Sequence, residues 1–218
     1  MPHIQMDKII VSRTGAPLLA FPDLSLEYRQ RVLLRGPSGS GKTTLLCVMM
    51  GLLKPSAGSV RIAGQDLYKM PLRDRDPLRG RTFGYVFQTL HLLPSLTITQ
   101  NIALAAEMAQ LPIDEQRLKY LINVLGLTDK AHRFPGALSQ GEQQRAAIAR
   151  AVLNKPPVII ADEPTSALDD DNTHIVMELL RAQAQETGAT LVIATHDSRI
   201  SAGFDSVIHL GHSAGRGV

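Results

Sequence analysis

A chain of 218 residues, 44% hydrophobic and 20% charged, has the composition of a soluble globular protein long enough to bury a sizeable core. Its formal charge of +3, with signs mixed along the chain, gives no footing for an electrostatic nucleic-acid binder, and the single cysteine, Cys47, excludes an intrachain disulfide. The start Met1-Pro2-His3-Ile4-Gln5 has no basic-then-apolar signal pattern, and the longest apolar stretches, Leu45–Leu53 and Ile102–Ala106, are too short to cross a bilayer. A soluble, cytosolic protein is expected, with any anchorage at a membrane supplied by another chain.

Residues 4–35 alternate short apolar runs with turns at Gly15-Ala16-Pro17 and Phe21-Pro22-Asp23, which predicts strands. The run Val32-Leu33-Leu34 predicts a buried strand that enters Gly36-Pro37-Ser38-Gly39-Ser40-Gly41-Lys42-Thr43. This octet fits G-x-x-x-x-G-K-[ST], and a helix is predicted to leave it over Thr44–Leu53, with Cys47 as a small core residue. Its glycines let successive backbone N–H groups surround the β- and γ-phosphates of a nucleotide, and the helix N-terminus adds partial positive charge. Lys42 supplies a mobile ammonium to those phosphates, and the Thr43 hydroxyl is placed for Mg²⁺.

Pro55-Ser56-Ala57-Gly58 marks a turn, and Ser59–Ala63 predicts a strand closed by Gly64. Arg73-Asp74-Arg75-Asp76 is expected to be a solvated surface loop. Phe83–Phe87 predicts a strand ending at Gln88. From 89 to 154 the character becomes helical, with Leu118, Leu121, Ile122 and Leu125 on one face. Strands return at Val158–Ala161, Leu191–Ala194 and Val207-Ile208, the first two each after a helix, as a parallel α/β sheet requires. Gly211–Val218 ends the chain without a pattern. One domain over 1–218 is therefore expected, with an α/β core from 1–88 and 155–218 and a helical insert at 89–154.

Two further clusters carry chemistry. Val158–Ala161 runs straight into Asp162-Glu163-Pro164, and a buried strand ending in adjacent carboxylates is costly unless a cation or substrate uses them. Asp162 is suited to hold Mg²⁺ beside the phosphate loop, and Glu163 to polarise an attacking water. In Leu138-Ser139-Gln140-Gly141-Glu142-Gln143-Gln144-Arg145, Ser139 and Glu142 form a capping box opening the helix that carries Ala146–Leu153. The same serine hydroxyl, glycine N–H and outward helix start make a second phosphate site. Two separate phosphate sites suggest two protomers sharing each nucleotide.

The chain resembles the ATP-binding subunits of ABC transporters over essentially its full length. Gly36–Thr43 resembles the Walker A motif, Val158–Glu163 the Walker B motif and Leu138–Glu142 the signature sequence. Ser166-Ala167-Leu168-Asp169 is similar to the D-loop, Gln88 falls at the Q-loop position, and His196 in Ala194-Thr195-His196-Asp197 at the switch-histidine position. Gln88–Pro94 and Leu96-Thr97, with no added C-terminal domain, resemble the lipoprotein-releasing, macrolide-efflux and FtsE-type group.

The resemblance implies a P-loop NTPase fold: a RecA-like, mostly parallel sheet core, an N-terminal antiparallel β subdomain and an inserted helical subdomain. It implies an ATPase acting as a head-to-tail homodimer that sandwiches ATP and Mg²⁺. Gly36–Thr44 of one chain would face Ser139 and Gly141 of the other. His196 would contact the γ-phosphate, Gln88 would reach Mg²⁺ or the water, and Asp169 would touch the partner protomer. It further implies docking on an integral membrane permease subunit at the inner face of the cell membrane, through a groove near Gln88 and roughly Thr89–Asn101, and no nucleic acid. A soluble ABC ATPase working on nucleic acid or another protein assembly is the alternative, although the usual coiled coils, duplicated cassettes and basic extensions are missing. A P-loop kinase or GTPase is disfavoured by the signature, D-loop and histidine, and Asn154-Lys155-Pro156-Pro157 lacks the aspartate of N-K-x-D.

Two positions depart from the family pattern. Gln140 and Glu142 stand where the signature carries its first glycine and its glutamine, and a carboxylate at Glu142 would repel phosphate unless it turned back onto the helix start. The aromatic residue that stacks on adenine aligns with Arg13, whose guanidinium can also stack on a base. Base discrimination is expected to be weak.

Overall fold

Three strands at the centre of the molecule are apolar almost throughout because both of their faces are covered. They are β4 (Arg31–Arg35), β8 (Val158–Asp162) and β9 (Thr190–Thr195) of a computed structural model that describes residues 3–12, 18–166, 168–200 and 202–211. With β7 (Phe83–Val86) and β10 (Ser206–His209) at the edges, they form a five-stranded sheet of order β10-β4-β9-β8-β7 in which every pair is parallel.

Side chains alternate across a strand, so each of the three divides its residues between two cores. Val32, Leu34, Val158, Ile160, Val192 and Ala194 join one apolar cluster, and Leu33, Ile159, Ala161, Leu191 and Ile193 the other. The first cluster includes Leu45 and Leu46 of α1 (Lys42–Met49) and Ile4, Met6 and Val60 of an antiparallel sheet. There β1 (Ile4–Val11) pairs with β2 (Leu19–Ala20), β3 (Leu24–Leu26) and β5 (Ala57–Ile62), and β6 (Gln65–Asp66) folds back on β5. Ala63 and Gly64, with φ of 48° and 83°, form that two-residue turn in the left-handed region such hairpins require.

The second cluster joins the sheet to α3 (Ile98–Met108), α4 (Glu115–Val124), α5 (Gln140–Val152) and α6 (Asp170–Thr187). Ile98, Ile102, Leu121 and Ile148 share it with Ile159 and Ile193, so the helices of 89–154 have no core separate from that of the sheet. Leu118, Leu121, Ile122 and Leu125 are all buried, as their spacing demands.

Two local expectations are corrected. The helix after the phosphate loop begins at Lys42 rather than Thr44, and it closes at Met50, before Gly51 at a φ of 74°. The mixed-charge run 73–76 is not a loop but lies in α2 (Leu72–Thr82). Arg75 in it is buried: its guanidinium sits 5.0 Å from the Tyr68 ring centroid and donates to the Met70 carbonyl at 3.1 Å. Alternating charges and Pro77 hide that helix from a reading that looks for an apolar stripe. Among the described residues no helix is long and apolar enough to cross a membrane.

Candidate active site

Strand β4 ends in the glycine-rich octet, and the chain re-enters regular structure through Gly41 at a φ of 89°, a conformation that favours glycine. Gly41 is the N-cap of α1 and no side chain caps the helix, so its first amides are left for a ligand. Lys42 folds back into the loop, where its ammonium donates to the carbonyls of Gly36 at 2.8 Å and Pro37 at 3.1 Å. The Ser40 hydroxyl is buried with no hydrogen-bond partner. A cavity of ≈ 320 Å³ lies over this loop.

Two acids stand at the end of β8: Glu163 lines the cavity, and Asp162 is buried against the loop residue Thr43. Asp162 Oδ2 accepts from the Thr43 hydroxyl at 2.6 Å and from the Tyr85 hydroxyl at 3.3 Å, while Oδ1 is buried and unpaired. Burial raises the pKa of Asp162, only partly offset by the bonds from Thr43 and Tyr85. Glu163 takes a left-handed backbone, φ 48°, with its N–H held by the Ala194 carbonyl at 2.8 Å. Its side chain lies 3.0 Å from the Lys42 ammonium, accepts from the Thr195 hydroxyl at 2.9 Å and approaches His196 Nδ1 at 2.9 Å. Burial pushes its pKa up, but His196, Lys42 and Thr195 together hold it below the ordinary value. Both ends of the Lys42–Glu163 pair are buried, whereas the His196 side chain is 55% exposed. An oxygen corner with an unsatisfied carboxylate atom fits a hard divalent cation such as Mg²⁺, and uncapped helix amides beside a buried ammonium fit a polyphosphate.

Ser38, Gly39, Gly41, Lys42, Thr43, Thr44, Gln88, Glu163 and His196 all line the cavity. Gly36, Pro37, Ser40 and Asp162 adjoin those residues without lining it, and Ser139, Gly141 and Asp169 do not line it either. Ser139 is exposed at the N-cap of α5, where its hydroxyl accepts from the Glu142 N–H at 3.3 Å and its own N–H donates to Glu142 Oε2 at 2.7 Å. The Glu142 carboxylate thus turns back onto the helix start, and Lys130 pairs with it at 3.3 Å. The Ser139 N–H, with Lys130 behind it, lowers the Glu142 pKa. A Cβ on Gly141 would sit 2.8 Å from Asn172 Oδ1, so a side chain there would press on the start of α6. Asn172 is itself held by Asp169, the N-cap of that helix. Arg13 and Ala167 lie outside the described residues. Val11 and Leu19 add an apolar side to the cavity that no motif announces, and Tyr85 and Thr195 escape sequence reading because their hydroxyls meet the acids only through strand pairing.

A strand–glycine loop–helix facing two strand-end acids at the carboxyl edge of a parallel sheet defines a P-loop nucleoside triphosphatase. The family model for ABC transporters matches residues 20–166, and this chain belongs to that family. It is 42% identical over 186 residues to the lipoprotein-releasing system ATP-binding protein LolD 1 of Rhodopirellula baltica, covering 84% of this chain and 81% of that one. It is 41% identical over 189 residues to the macrolide export ATP-binding/permease protein MacB of Aggregatibacter actinomycetemcomitans, covering 86% of this chain but 29% of that longer protein. Among solved structures, the dimeric bacterial ABC transporter cassette MJ0796 superimposes with a TM-score of 0.85 at 32% identity, covering 96% of this chain and 94% of that one. The same cassette in a post-hydrolysis state with ADP and Pi gives 0.84 at 30% identity, with 96% of each chain covered. The protein is an ATP-binding, ATP-hydrolysing cassette of the transporter type.

Proposed function

We propose that this cassette powers a membrane permease of the lipoprotein-release or efflux type by closing head to tail around ATP and reopening on hydrolysis. Its relatives' names and their dimeric structures support that reading. The observation that carries the chemistry is the pair of acids set against the phosphate loop: Asp162 with one buried oxygen unpaired, Glu163 ion-paired to Lys42. Thr43, Asp162 and Gln88 would hold Mg²⁺, which when bound screens phosphate charge. Lys42, pulled toward phosphate oxygens, would leave Glu163 free to accept a proton from water. His196 would face the γ-phosphate, and its 2.9 Å approach to Glu163 supports a reading in which both act on one water. Ser139 and Gly141 meet the partner's nucleotide, and Asp169 meets the partner chain. Glu163→Gln should bind nucleotide and accumulate as an ATP-bound dimer. Hydrolysis at the wild-type rate would remove Glu163 from this role.

The membrane partner would dock in the groove of ≈ 830 Å³ between α2, β7, α3 and α5, where Leu52, Phe87, His91 and Met108 offer an apolar surface near Gln88. Only the first part of 89–101 reaches it; α2 and α3 supply the walls. Met108, 74% exposed, is the residue whose replacement by glutamate should release the cassette from membranes with basal ATPase activity retained.

A further inference from the structure

Between Gln88 and α3 the chain forms no helix or strand, so its polar backbone groups need partners from elsewhere. Asn101, fully buried in α3, supplies one set: it donates to the carbonyls of Leu93, Leu96 and Thr97 at 3.0, 3.0 and 3.1 Å and accepts from the Leu93 N–H at 2.7 Å. Arg150, near the far end of α5, supplies the other. Its Nη2 donates to the Leu90 carbonyl at 2.5 Å and its Nη1 to the His91 carbonyl at 2.7 Å. Between these two holds His91 keeps a left-handed backbone, φ 48°. Asn154 Nδ2, just past α5, donates to the Ala105 carbonyl at 2.9 Å and ties the same end to α3.

Arg150 is costly where it stands. It is half-buried; burial disfavours its charge and none of the described ion pairs includes it, so its hydrogen-bond partners in the protein are the Leu90 and His91 carbonyls. The guanidinium contributes geometry: its rigid planar fork holds two successive carbonyls from two different nitrogens, whereas a lysine would offer them one freely rotating ammonium. Those carbonyls lie two and three residues beyond Gln88, which lines the nucleotide cavity. The helix that carries Arg150 begins at Ser139, roughly 16 Å away at about 1.5 Å per residue.

We propose that Arg150 is a positioning residue for ATP hydrolysis, clamping the backbone just past Gln88 to α5 so that displacement of Gln88 at the nucleotide carries the Ser139 end of that helix with it. The clamp rests on the readings of Gln88 and Ser139 given above. Arg150 also lines the docking groove, so the same fork adjoins the surface where the membrane partner would sit.

The test is a double-mutant cycle on the dimer's ATPase activity, with Gln88→Ala, Arg150→Lys and the combination. Arg150→Lys keeps the charge and much of the aliphatic stem but replaces the planar two-nitrogen fork by a single rotating ammonium. It should lower kcat about tenfold with KM for ATP within about twofold, and the double variant should be no slower than Gln88→Ala alone. A purely structural arginine would give multiplicative losses in the two backgrounds, and that result overturns the clamp. If Gln88→Ala slows hydrolysis while Arg150→Lys does not, the clamp falls and the Gln88 reading stands; if Gln88→Ala changes nothing, the Gln88 reading falls and the clamp with it. Hydrogen exchange in the wild-type chain gives a readout free of any folding defect in the variants. On adding a non-hydrolysable ATP analogue with Mg²⁺, amides of 89–93 and of 148–152 should change protection together, and a change confined to 89–93 would overturn the proposal.

Discussion

The start of α1 and the start of α5 both offer a glycine and a helix N-terminus to phosphate, but they are built in opposite ways. At α1 the cap is a left-handed glycine without a side-chain acceptor, the Ser40 hydroxyl and one Asp162 oxygen are buried unpaired, and a buried lysine is held only by its own loop and Glu163. At α5 the Ser139–Glu142 capping box closes the helix, Lys130 neutralises the acid, and the serine is exposed. The first site has unpaired polar atoms beside a cavity. The second is complete as it stands, and in the proposed dimer its exposed serine would meet phosphate held by another copy. That asymmetry is what a nucleotide shared between two chains requires.

The strongest way to break the comparison is at the unsatisfied end. Lys42→Ala or Glu163→Gln should each cost about a thousandfold in kcat, equivalent to roughly 4 kcal/mol, read in a steady-state ATPase assay. Asp162→Asn should abolish Mg²⁺-dependent hydrolysis yet melt no lower than the wild type at pH 7. The sign follows from the raised pKa of Asp162: stability present at low pH is lost as pH rises through the folded-state value, and the neutral amide escapes that loss. The difference in melting should therefore shrink as pH falls toward 3.8, the ordinary value.

Next in size is the sharing itself. A mixture of Lys42→Ala and Ser139→Arg chains places one intact composite site in each mixed dimer, so activity should return that neither protein shows alone. At the satisfied end the effect is smaller. Glu142→Ala removes half of the capping box and should cost about 1 kcal/mol, a fall of about 2–4 °C in Tm. The smallest effect concerns the base: with apolar Val11 and Leu19 at the cavity, ATP and GTP should compete within about threefold, or roughly 0.7 kcal/mol.

The same contrast explains what the sequence discloses. The phosphate loop and the acids of β8 are legible because each binds through contiguous residues whose backbone course follows from glycine and from a buried strand. Ser139 and Glu142 are legible for the same reason, since a capping box spans only four residues. What is hidden depends on register between distant strands. Tyr85 reaches Asp162 only because β7 pairs with β8, and Thr195 reaches Glu163 only because β9 lies on the other side. Helix α2 is hidden differently, since Arg75 buries a charged residue over Tyr68 where periodicity looks for an apolar one.

The central claim is that the exposed start of α5 completes a nucleotide site in another copy of the chain. A structure of Glu163→Gln with ATP and Mg²⁺ tests it most directly. A head-to-tail dimer is expected, with Ser139 Oγ about 3 Å from a γ-phosphate oxygen of the nucleotide held by the other copy's phosphate loop. A closed dimer in which Ser139 is remote from every γ-phosphate would contradict it.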